Sequence, residues 1–419
     1  MTIRNEQYPL AKMGHLMELL GNPQDKVKFV HVAGTNGKGS VSCFIASALI
    51  QAGYKVGLYT SPYLQKFNER IRVNGKSIPQ KDLDEIFSLI NEKGKLLSSM
   101  PSEFEKVTAA GFLYFAKTNC DIVVLEVGVG GLKDSTNIIK DSLVSVITSI
   151  GLDHMDKLGD TRSEIAFQKA GIIKENGLVA VSCQQDEVLS VIRDVCSSKN
   201  AHMEISQADK AAVIRNDLSG QIFSLPSYGE FEISLLGKNQ IDNASVAIEA
   251  LKLLRKRGVD ISDENIRQGL KNALWAGRFE SVGKDPCIIL DCGHNIDGII
   301  SLKENVKEYF PDKKPVIITG VMKDKDFHKI YEEIDEIASS YVAINCDYER
   351  AMPCDDLKCY LKRYNKPVYA FSNIKEGIDK AIELANQSDT FVLAAGSVYT
   401  CGDIRTIITG DEEVPVVKI

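Results

Sequence analysis

Residues 27–40 read VKFVHVAGTNGKGS: an apolar run ends in a glycine-rich turn, and a helical pattern occupies residues 41–52. This order of strand, glycine loop and helix presents backbone N–H groups and a helix N-terminus to a polyphosphate. Lys38 adds a positive charge, and the loop glycines let the backbone approach phosphate oxygens closely. The stretch therefore predicts a nucleoside triphosphate site at the carboxyl edge of a parallel α/β sheet.

The loop departs from the common phosphate-binding pattern, which places a glycine five positions before the Gly-Lys pair and Ser or Thr directly after it. Here Val32 and Gly39 hold those two positions, and Ser40 follows one residue late. Taken by itself, the stretch also fits a glycine-rich turn before a buried helix. The prediction of a phosphate site therefore depends on the rest of the chain.

The composition is that of a globular protein large enough for two or three domains: 419 residues, 44% hydrophobic and 26% charged. A net charge of −7 argues against a nucleic-acid-binding surface. No apolar run approaches the ~20 residues needed to span a bilayer, and the N-terminal residues favour an amphipathic helix over a signal peptide. The ten scattered cysteines, without a C-x-x-C pair, are typical of reduced thiols, so we expect a cytoplasmic enzyme.

Short apolar runs alternate with helical patterns in two successive parts of the chain. The first part has strand-like runs at residues 27–32, 56–59, 122–127, 144–147 and 178–182, and helical patterns at residues 41–52, 81–98, 107–117 and 241–256. The second part has strand-like runs at residues 287–290, 315–319, 341–344, 368–371 and 391–394. This alternation predicts an α/β fold with a doubly wound, P-loop-type N-terminal ATPase domain and a smaller Rossmann-like α/β C-terminal domain.

Two further segments shape the expected domain organisation. Glycine and proline punctuate residues 283–286, which places the boundary between domains 1–284 and 285–419. Residues 200–236 are more polar, with short alternating runs that favour a small antiparallel sheet attached to the first domain.

Several polar residues follow the predicted strands, where ligands of such sheets bind. Glu126 ends an apolar strand before Gly-x-Gly-Gly, so it is a candidate magnesium ligand, although a strand-end carboxylate can be purely structural. His154 follows another strand. On sequence alone its neighbours Asp153 and Asp156 are the more obvious metal ligands, because magnesium prefers oxygen.

Other candidates are less distinctive. Nothing in the spacing separates Lys169 from Lys174, and a solvated surface lysine is the default interpretation of both. Arg278 precedes the predicted boundary, and Asp291 and His294 follow the first strand beyond it. Such residues can clamp phosphate or bond a ribose, but an interdomain salt bridge and a turn-forming Asp-x-Gly explain them equally well.

The chain resembles the folylpolyglutamate synthases of the ATP-dependent Mur ligase superfamily in a series of motifs that keep the order of that family. They are HVAGTNGKGS from His31, YTSPYLQKFNERI from Tyr59, EVGVGG from Glu126, DSTN from Asp134, GLDHMDKLGDT from Gly151, KAGIIK from Lys169, GKNQIDNA from Gly237, WAGRFE from Trp275, DCGHN from Asp291, GVMKDKD from Gly320 and GSVYTCGDIR from Gly396.

This resemblance implies a reaction in which ATP phosphorylates the γ-carboxylate of a folate and the amine of L-glutamate attacks the acyl phosphate. The products are an amide, ADP and phosphate. It implies ATP and Mg²⁺ as cofactors, reduced folate and L-glutamate as substrates, no nucleic-acid or membrane partner, and a monomer. Three alternatives stay open: a bifunctional enzyme that also makes dihydrofolate from dihydropteroate, a non-catalytic paralogue that binds nucleotide or folate, and a ligase acting on another carboxylate.

The resemblance also assigns roles to residues. Catalytic roles fall to Lys38, Lys169 and His294, and Lys169 matches a lysine that is carbamylated in relatives. Nucleotide contacts fall to Asn36, Gly37, Lys38, Gly39, Ser40, Asn243, Arg278, Asp291 and His294. Magnesium ligands are Ser40, Ser61, Glu126 and His154, in place of the neighbouring aspartates. Residues 59–72 correspond to a mobile loop beside the pterin site.

Some positions depart from the pattern of the family. Leu132 and Lys133 replace Arg-Leu, Asn239 replaces His, Cys292 replaces Gly, and Gln168 replaces a common Glu. Tyr63 stands where bifunctional relatives often have His. These departures leave the ATP motifs intact and bear on the choice of acceptor.

Overall fold

The computed structural model describes residues 10–323, 327–346, 348, 351–411 and 416–418. The last part of the motif at residues 320–326, the first residues of the predicted N-terminal helix and part of the C-terminus lie outside these ranges. The described chain forms three sheets with helices packed around them, which confirms the α/β class.

The first sheet has eight strands and is parallel except at one edge. Its strands are β1 (Lys28–Ala33), β2 (Val56–Tyr59), β3 (Ile71–Val73), β4 (Lys76–Ser77), β5 (Ile122–Glu126), β6 (Val144–Ile147), β7 (Leu178–Val181) and β8 (His202–Ile205), in the order β4-β3-β2-β5-β1-β6-β7-β8. Strand β1 lies at the centre between β5 and β6, so the glycine loop that follows it opens at the middle of the carboxyl edge.

Helices cover both faces of this sheet. They are α1 (Ala11–Leu19), α2 (Lys38–Gln51), α3 (Gln80–Gly94), α4 (Glu103–Lys117), α5 (Met155–Leu158), α6 (Arg162–Ala170), α7 (Asp186–Ser198), α8 (Lys238–Lys256) and α9 (Asp263–Asn272). Helix α2 is buried along most of its length because α8, α9 and the sheet surround it. A small antiparallel sheet is predicted from residues 200–236, and part of this segment forms it as β9 (Ala212–Asp217), β10 (Gly220–Leu225) and β11 (Gly229–Ile233). Strands β10 and β11 pack on the same core, whereas β9 is largely exposed. Residues 202–205 instead form β8, at the edge of the first sheet.

The second domain is a six-stranded sheet, parallel except for its first strand. Its strands are β12 (Glu280–Lys284), β13 (Cys287–Leu290), β14 (Val316–Thr319), β15 (Ser340–Ile344), β16 (Val368–Phe371) and β17 (Val392–Ala395), in the order β12-β13-β17-β14-β15-β16. Its helices are α10 (Ile296–Tyr309), α11 (Phe327–Ile334), α12 (Cys354–Leu361), α13 (Ile374–Gln387) and α14 (Val398–Thr409).

The predicted boundary at residues 284 and 285 falls inside the β12–β13 hairpin. Strand β12 pairs antiparallel with β13, so the second sheet begins at Glu280 and not at residue 285. The chain also returns at its end: Val416 and Val417 pack in the core of the first domain, and the N–H of Leu274 donates to the oxygen of Val416 at 2.8 Å. Glycine and proline at residues 283–286 belong to a hairpin within the second domain. The sequence could not distinguish this turn from a linker, because both use the same residue types.

The ends of two helices differ from the sequence prediction for local reasons. Helix α4 begins at Glu103, before the predicted residue 107, because Ser102 and Glu105 form a capping box. Helix α2 begins at Lys38, inside the glycine loop, with Gly37 in the left-handed conformation at its N-cap. The first turn of α2 is therefore part of the predicted phosphate site.

Candidate active site

A cleft of about 1010 Å³ lies between the two domains at the carboxyl edge of the first sheet. Its walls contain every residue to which the family resemblance assigned a role. These residues are Asn36, Gly37, Lys38, Gly39, Ser40, Ser61, Glu126, His154, Lys169, Asn243, Arg278, Asp291 and His294. Residues separated by more than two hundred positions in sequence thus share one cavity.

The glycine loop is held rigidly at the floor of the cleft. The N–H of Thr35 donates to the oxygen of Ser149 at 2.8 Å, and the hydroxyl of Thr148 donates to the oxygen of Asn36 at 2.7 Å. A side chain at Gly37, where φ is 85°, would place its Cβ 2.1 Å from Oδ1 of Asn243. The glycine is therefore required both by its backbone angle and by the approach of α8.

Glu126 lies buried at the end of β5, and its Oε2 accepts a hydrogen bond from the N–H of Ser61 at 3.0 Å. Burial raises the pKa of Glu126 to about 7, against the opposing charges of Lys38, Arg278 and Arg70. A buried carboxylate with a raised pKa is stabilised by a bound cation, since the cation offsets the cost of burying the negative charge.

The residues assigned to magnesium carry mostly oxygen donors. Glu126, Ser40 and Ser61 line the same cleft and carry oxygen atoms, the ligands that Mg²⁺ prefers. Among the described residues no group of three His, Cys, Asp or Glu side chains is placed to hold a metal. The residues therefore fit a magnesium ion that would take its remaining ligands from the nucleotide and water.

His154 stands at the start of α5 with a left-handed φ of 51°, and its N–H donates to Oδ1 of Asp153 at 2.8 Å. The second oxygen of Asp153 accepts from the amide of Asn295 at 3.2 Å. Asp153 is thus already engaged by two donors, although it and Asp156 also line the cleft. The metal role of His154 stays a prediction.

Lys169 is not the solvated lysine that its sequence position suggests by default. Only 4% of it is exposed, and its Nζ donates to the oxygen of Gly34 at 2.7 Å. Burial, and then the charge of Lys38, lower the pKa of Lys169 to about 7. Lys174 is half-buried elsewhere, where its Nζ donates to Oδ1 of Asn137 and to the oxygen of Ile139.

The second domain contributes the opposite wall. Asp291 accepts from the N–H of Gly293 at 2.7 Å and from the N–H of Phe279 at 3.0 Å, so the turn-forming role considered for it is present. Desolvation raises the pKa of Asp291, and the charge of Arg278 opposes this shift. Nδ1 of His294 donates to the oxygen of Cys292 at 3.1 Å, which fixes the proton of the neutral imidazole on Nδ1.

Comparison with known proteins agrees with this geometry. The Mur ligase middle domain matches residues 32–251, and the Mur ligase glutamate ligase domain matches residues 277–398. A dihydrofolate synthase/folylpolyglutamate synthase of Bacillus subtilis is 39% identical over 412 residues, covering 94% of both chains. The chain belongs to the folylpolyglutamate synthase family. It is therefore an ATP-dependent Mur-type ligase, an enzyme that forms carbon–nitrogen bonds.

Two further relatives support the family assignment. A folylpolyglutamate synthase of Lacticaseibacillus casei is 32% identical over 422 residues, covering 96% of each chain. The structure of the Mycobacterium tuberculosis folylpolyglutamate synthase complexed with ADP and AMPPCP matches with a TM-score of 0.87 and 29% identity, covering 96% of both chains. The match of the glutamate ligase domain from residue 277 agrees with a second sheet that begins at Glu280.

Two residues at or beside the cleft were assigned no role from the sequence. Nδ2 of Asn295 donates to Oδ1 of Asn36 at 3.0 Å and to Asp153, so it joins the second domain to the glycine loop. Asn295 also N-caps α10. An Asn between a strand and a helix indicates such a cap from the sequence, but it does not indicate a contact between the domains. The guanidinium of Arg70 lies over the ring of Tyr63 at 5.5 Å and also lines the cleft.

The departures from the family pattern lie in different places. Leu132 and Lys133 are exposed, and the N–H of Leu132 donates to the oxygen of Gln168 at 2.7 Å. Asn239 and Cys292 line the cleft.

Among the described helices of this family member, none combines the length and apolar character needed to cross a membrane.

Proposed function

We propose that the chain adds L-glutamate to the γ-carboxylate of a reduced folate, using ATP and passing through an acyl phosphate. The observation that carries the proposal is the interdomain cleft, where Lys38, Glu126 and Lys169 of the first domain face Asp291 and His294 of the second. A carboxylate is a poor electrophile, and phosphorylation gives it a leaving group. The two-domain cleft suits this chemistry because an acyl phosphate must be kept from water.

The phosphate groups of ATP are assigned to the glycine loop. The first N–H groups of α2 and the amine of Lys38 would contact them, and Arg278 and His294 would approach from the other domain. Asn243 lies on the adenine side, and Asp291 would bond the ribose. Ser40, Ser61, Glu126 and His154 would hold Mg²⁺, which when bound offsets the negative charge of the transferring phosphoryl group.

The proposal includes carbamylation of Lys169. Addition of carbon dioxide requires a neutral amine, and a pKa of about 7 leaves a large neutral fraction at physiological pH. The carbamate keeps one N–H, which can still donate to the oxygen of Gly34. The added carboxylate would turn a buried cation beside Lys38 into an anion, which removes the repulsion between the two lysines.

Glutamate ligation completes the reaction. The second domain carries the glutamate site, as the name of its matching domain suggests, and closure of the cleft would bring the amine to the acyl carbon. The nitrogen forms a bond to that carbon, the carbon–oxygen bond to phosphate breaks, and the amine proton leaves to a base or water. The products are the amide and inorganic phosphate, after ADP from the first step.

A bifunctional enzyme that also makes dihydrofolate from dihydropteroate is the second candidate, because the Bacillus subtilis relative carries both names. Tyr63, where bifunctional relatives often have His, weighs toward the single activity.

The chain also supplies both walls of the cleft by itself, which supports a monomer. Its ten cysteines are all free, which supports a reducing compartment such as the cytoplasm.

ADP release should require tetrahydrofolate, L-glutamate, ATP and Mg²⁺ together, with the elongated folate identified by mass spectrometry. A parallel assay with dihydropteroate decides the second activity. Purified protein that adds no glutamate to any folate under these conditions would contradict the proposal. Calorimetric folate binding without turnover would then favour the non-catalytic paralogue, and ADP release with another carboxylate would favour a retargeted ligase.

A further inference from the structure

The segment of residues 61–66, here named the acceptor loop, leaves β2 and enters the cleft without regular secondary structure. Ser61 lines the cleft, and Ser61 and Tyr63 both line a smaller cavity beside Glu126. An irregular segment has no helix or sheet ladder to satisfy its backbone, so its N–H groups need other partners to hold one position.

A single carboxylate supplies those partners. Glu69, only 3% exposed, accepts from the N–H groups of Leu64, Gln65 and Lys66 at 3.0, 3.1 and 2.9 Å. Three consecutive amides therefore converge on one side chain. Hydrogen bonds to an ionised acceptor are the strong ones, and they fix the direction of the backbone that donates them.

The negative charge of Glu69 is balanced by the guanidinium of Arg72. Nη2 of Arg72 lies 3.5 Å from Oε2 of Glu69, and both side chains are almost fully buried. The guanidinium of Arg72 lies 5.6 Å from the ring centre of Trp275, the one tryptophan of the chain. Trp275 in turn lies against Gly39 so closely that a Cβ there would meet its ring at 2.8 Å. The contacts run from the acceptor loop to the glycine loop.

The other side of the acceptor loop is held by the second domain. Nε2 of Gln65 donates to the hydroxyl of Thr406 at 2.6 Å, and Nη1 of Arg405 donates to Oε1 of Gln65 at 3.1 Å. Arg405 also pairs with Glu280 at 3.0 Å. A Cβ at Gly402 would lie 2.0 Å from the oxygen of Leu64, so α14 packs directly on the loop backbone.

We propose that Glu69 is the positioning residue of the acceptor loop. It holds the loop where Ser61 faces the cleft and Tyr63 faces the smaller cavity beside Glu126, and it ties the loop to the glycine loop through Arg72 and Trp275. Glu69 lines the same small cavity as Ser61 and Tyr63, but its carboxylate is engaged by the three loop amides and by Arg72. It acts by fixing the surface against which the acceptor binds. The inference rests on the proposed function for the identity of that acceptor as a folate, but the contacts themselves do not depend on it.

The test compares E69Q with E105Q. Glu105 also accepts from a backbone N–H and a hydroxyl and pairs with Lys12, but it caps α4 away from the acceptor loop. In E69Q an NH₂ group replaces one of the two oxygens that accept from the loop, and the negative charge is lost. Hydrogen exchange of the Leu64, Gln65 and Lys66 amides should therefore accelerate by about tenfold or more, as expected when charged hydrogen bonds are lost. E105Q should leave exchange at these amides unchanged.

Kinetics separate positioning from a general loss of structure. In E69Q the KM for the folate acceptor should rise by about tenfold, while the KM for ATP changes by less than about threefold, because only binding against the loop is lost. Unchanged exchange and an unchanged acceptor KM in folded E69Q would overturn the inference. So would a parallel rise of both KM values.

The pair of buried charges makes E69Q prone to unfolding, and E69D covers that case. It keeps the charge opposite Arg72 but is one methylene too short to reach all three amides. E69D with wild-type exchange and a wild-type acceptor KM would refute the positioning role. The wild-type protein distinguishes the two proposals: if it ligates no folate, the proposed function fails, whereas the exchange comparison still decides the role of Glu69.

Discussion

Lys38 and Lys169 donate to the same acceptor, the backbone oxygen of Gly34, at 3.1 and 2.7 Å. Two amines so close to one carbonyl cannot both carry a full charge at low cost in a buried site. Lys38 is partly exposed to the cleft and faces the place expected for phosphate, whereas Lys169 is buried on α6. The buried amine therefore has the lowered pKa, and the two lysines are distinguished by their surroundings.

Removal of Lys169 should abolish most activity. We expect Lys169→Ala to lower kcat by about 10²-fold or more, since it removes the amine on which the proposed catalytic carbamate forms. Lys174→Ala is the control and should keep activity. The Lys174→Ala variant should have a moderately lower Tm, because it loses the hydrogen bonds of Lys174 to Asn137 and Ile139. Equal loss of activity in both variants would contradict the distinction, and intact mass spectrometry in bicarbonate checks for the carbamate.

Glu126 should make the ligand-free protein less stable as the pH rises. Its pKa is about 7 in the folded protein and near 4.5 when unfolded, so the folded state binds more protons between these values. Stability from this group is complete below pH 4.5 and is lost as the pH rises through about 7. E126Q removes the titration, so it should be more stable than wild type at pH 8 by roughly 2–3 kcal/mol, with no gain near pH 4.5.

Thermal unfolding of both proteins across this pH range measures the effect of Glu126. A Tm difference that does not change with pH would show that burial does not raise the pKa of this carboxylate. Addition of Mg²⁺ and AMPPCP should reverse the order, because a ligand that needs the carboxylate stabilises only the wild type.

Gly37→Ala should weaken nucleotide binding by more than its backbone strain alone explains. Gly37 and Gly53 have nearly the same φ, 85° and 87°, but a Cβ at Gly53 would meet no described atom within 4 Å. Gly53→Ala therefore reports the strain alone, about 1–2 kcal/mol. Gly37→Ala adds the clash with Asn243. We expect calorimetry to show AMPPCP binding weakened by at least about tenfold in Gly37→Ala only. Similar affinities in both variants would argue against the contact.

Asn295→Asp should loosen the join between the domains while keeping the helix cap. Aspartate caps as well as asparagine, but it cannot donate to Asn36, and it places a charge beside Asp153. Asn373→Asp changes the N-cap of α13 in the same way without an interdomain bond and serves as the control. We expect the KM for ATP to rise by about tenfold in Asn295→Asp alone. A matching rise in Asn373→Asp would point to the cap instead.

The sequence located most strands of both sheets because buried parallel strands are short, apolar runs. Strands β3, β4 and β8, toward the edges of the first sheet, and β12 of the second were missed. Glu280–Lys284, for example, has mixed polarity and lies at a sheet edge. The burial of Lys169 was missed for another reason. Its local pattern is that of a helix end, and only the packing of α6 against the glycine loop removes it from water.

The sequence by itself determined the alternation of strands and helices, the glycine loop and, through its ordered motifs, the family. It also predicted site residues, which the structure brings to one cleft and whose roles stay predictions. These features are local or depend on residue identity. Only the tertiary structure decided which lysine is buried, that Asn295 joins two domains, that residues 416–418 return to the first domain, and that Glu69 gathers three amides of the acceptor loop. Each of these depends on contacts between segments far apart in the chain, for which local pattern carries no signal.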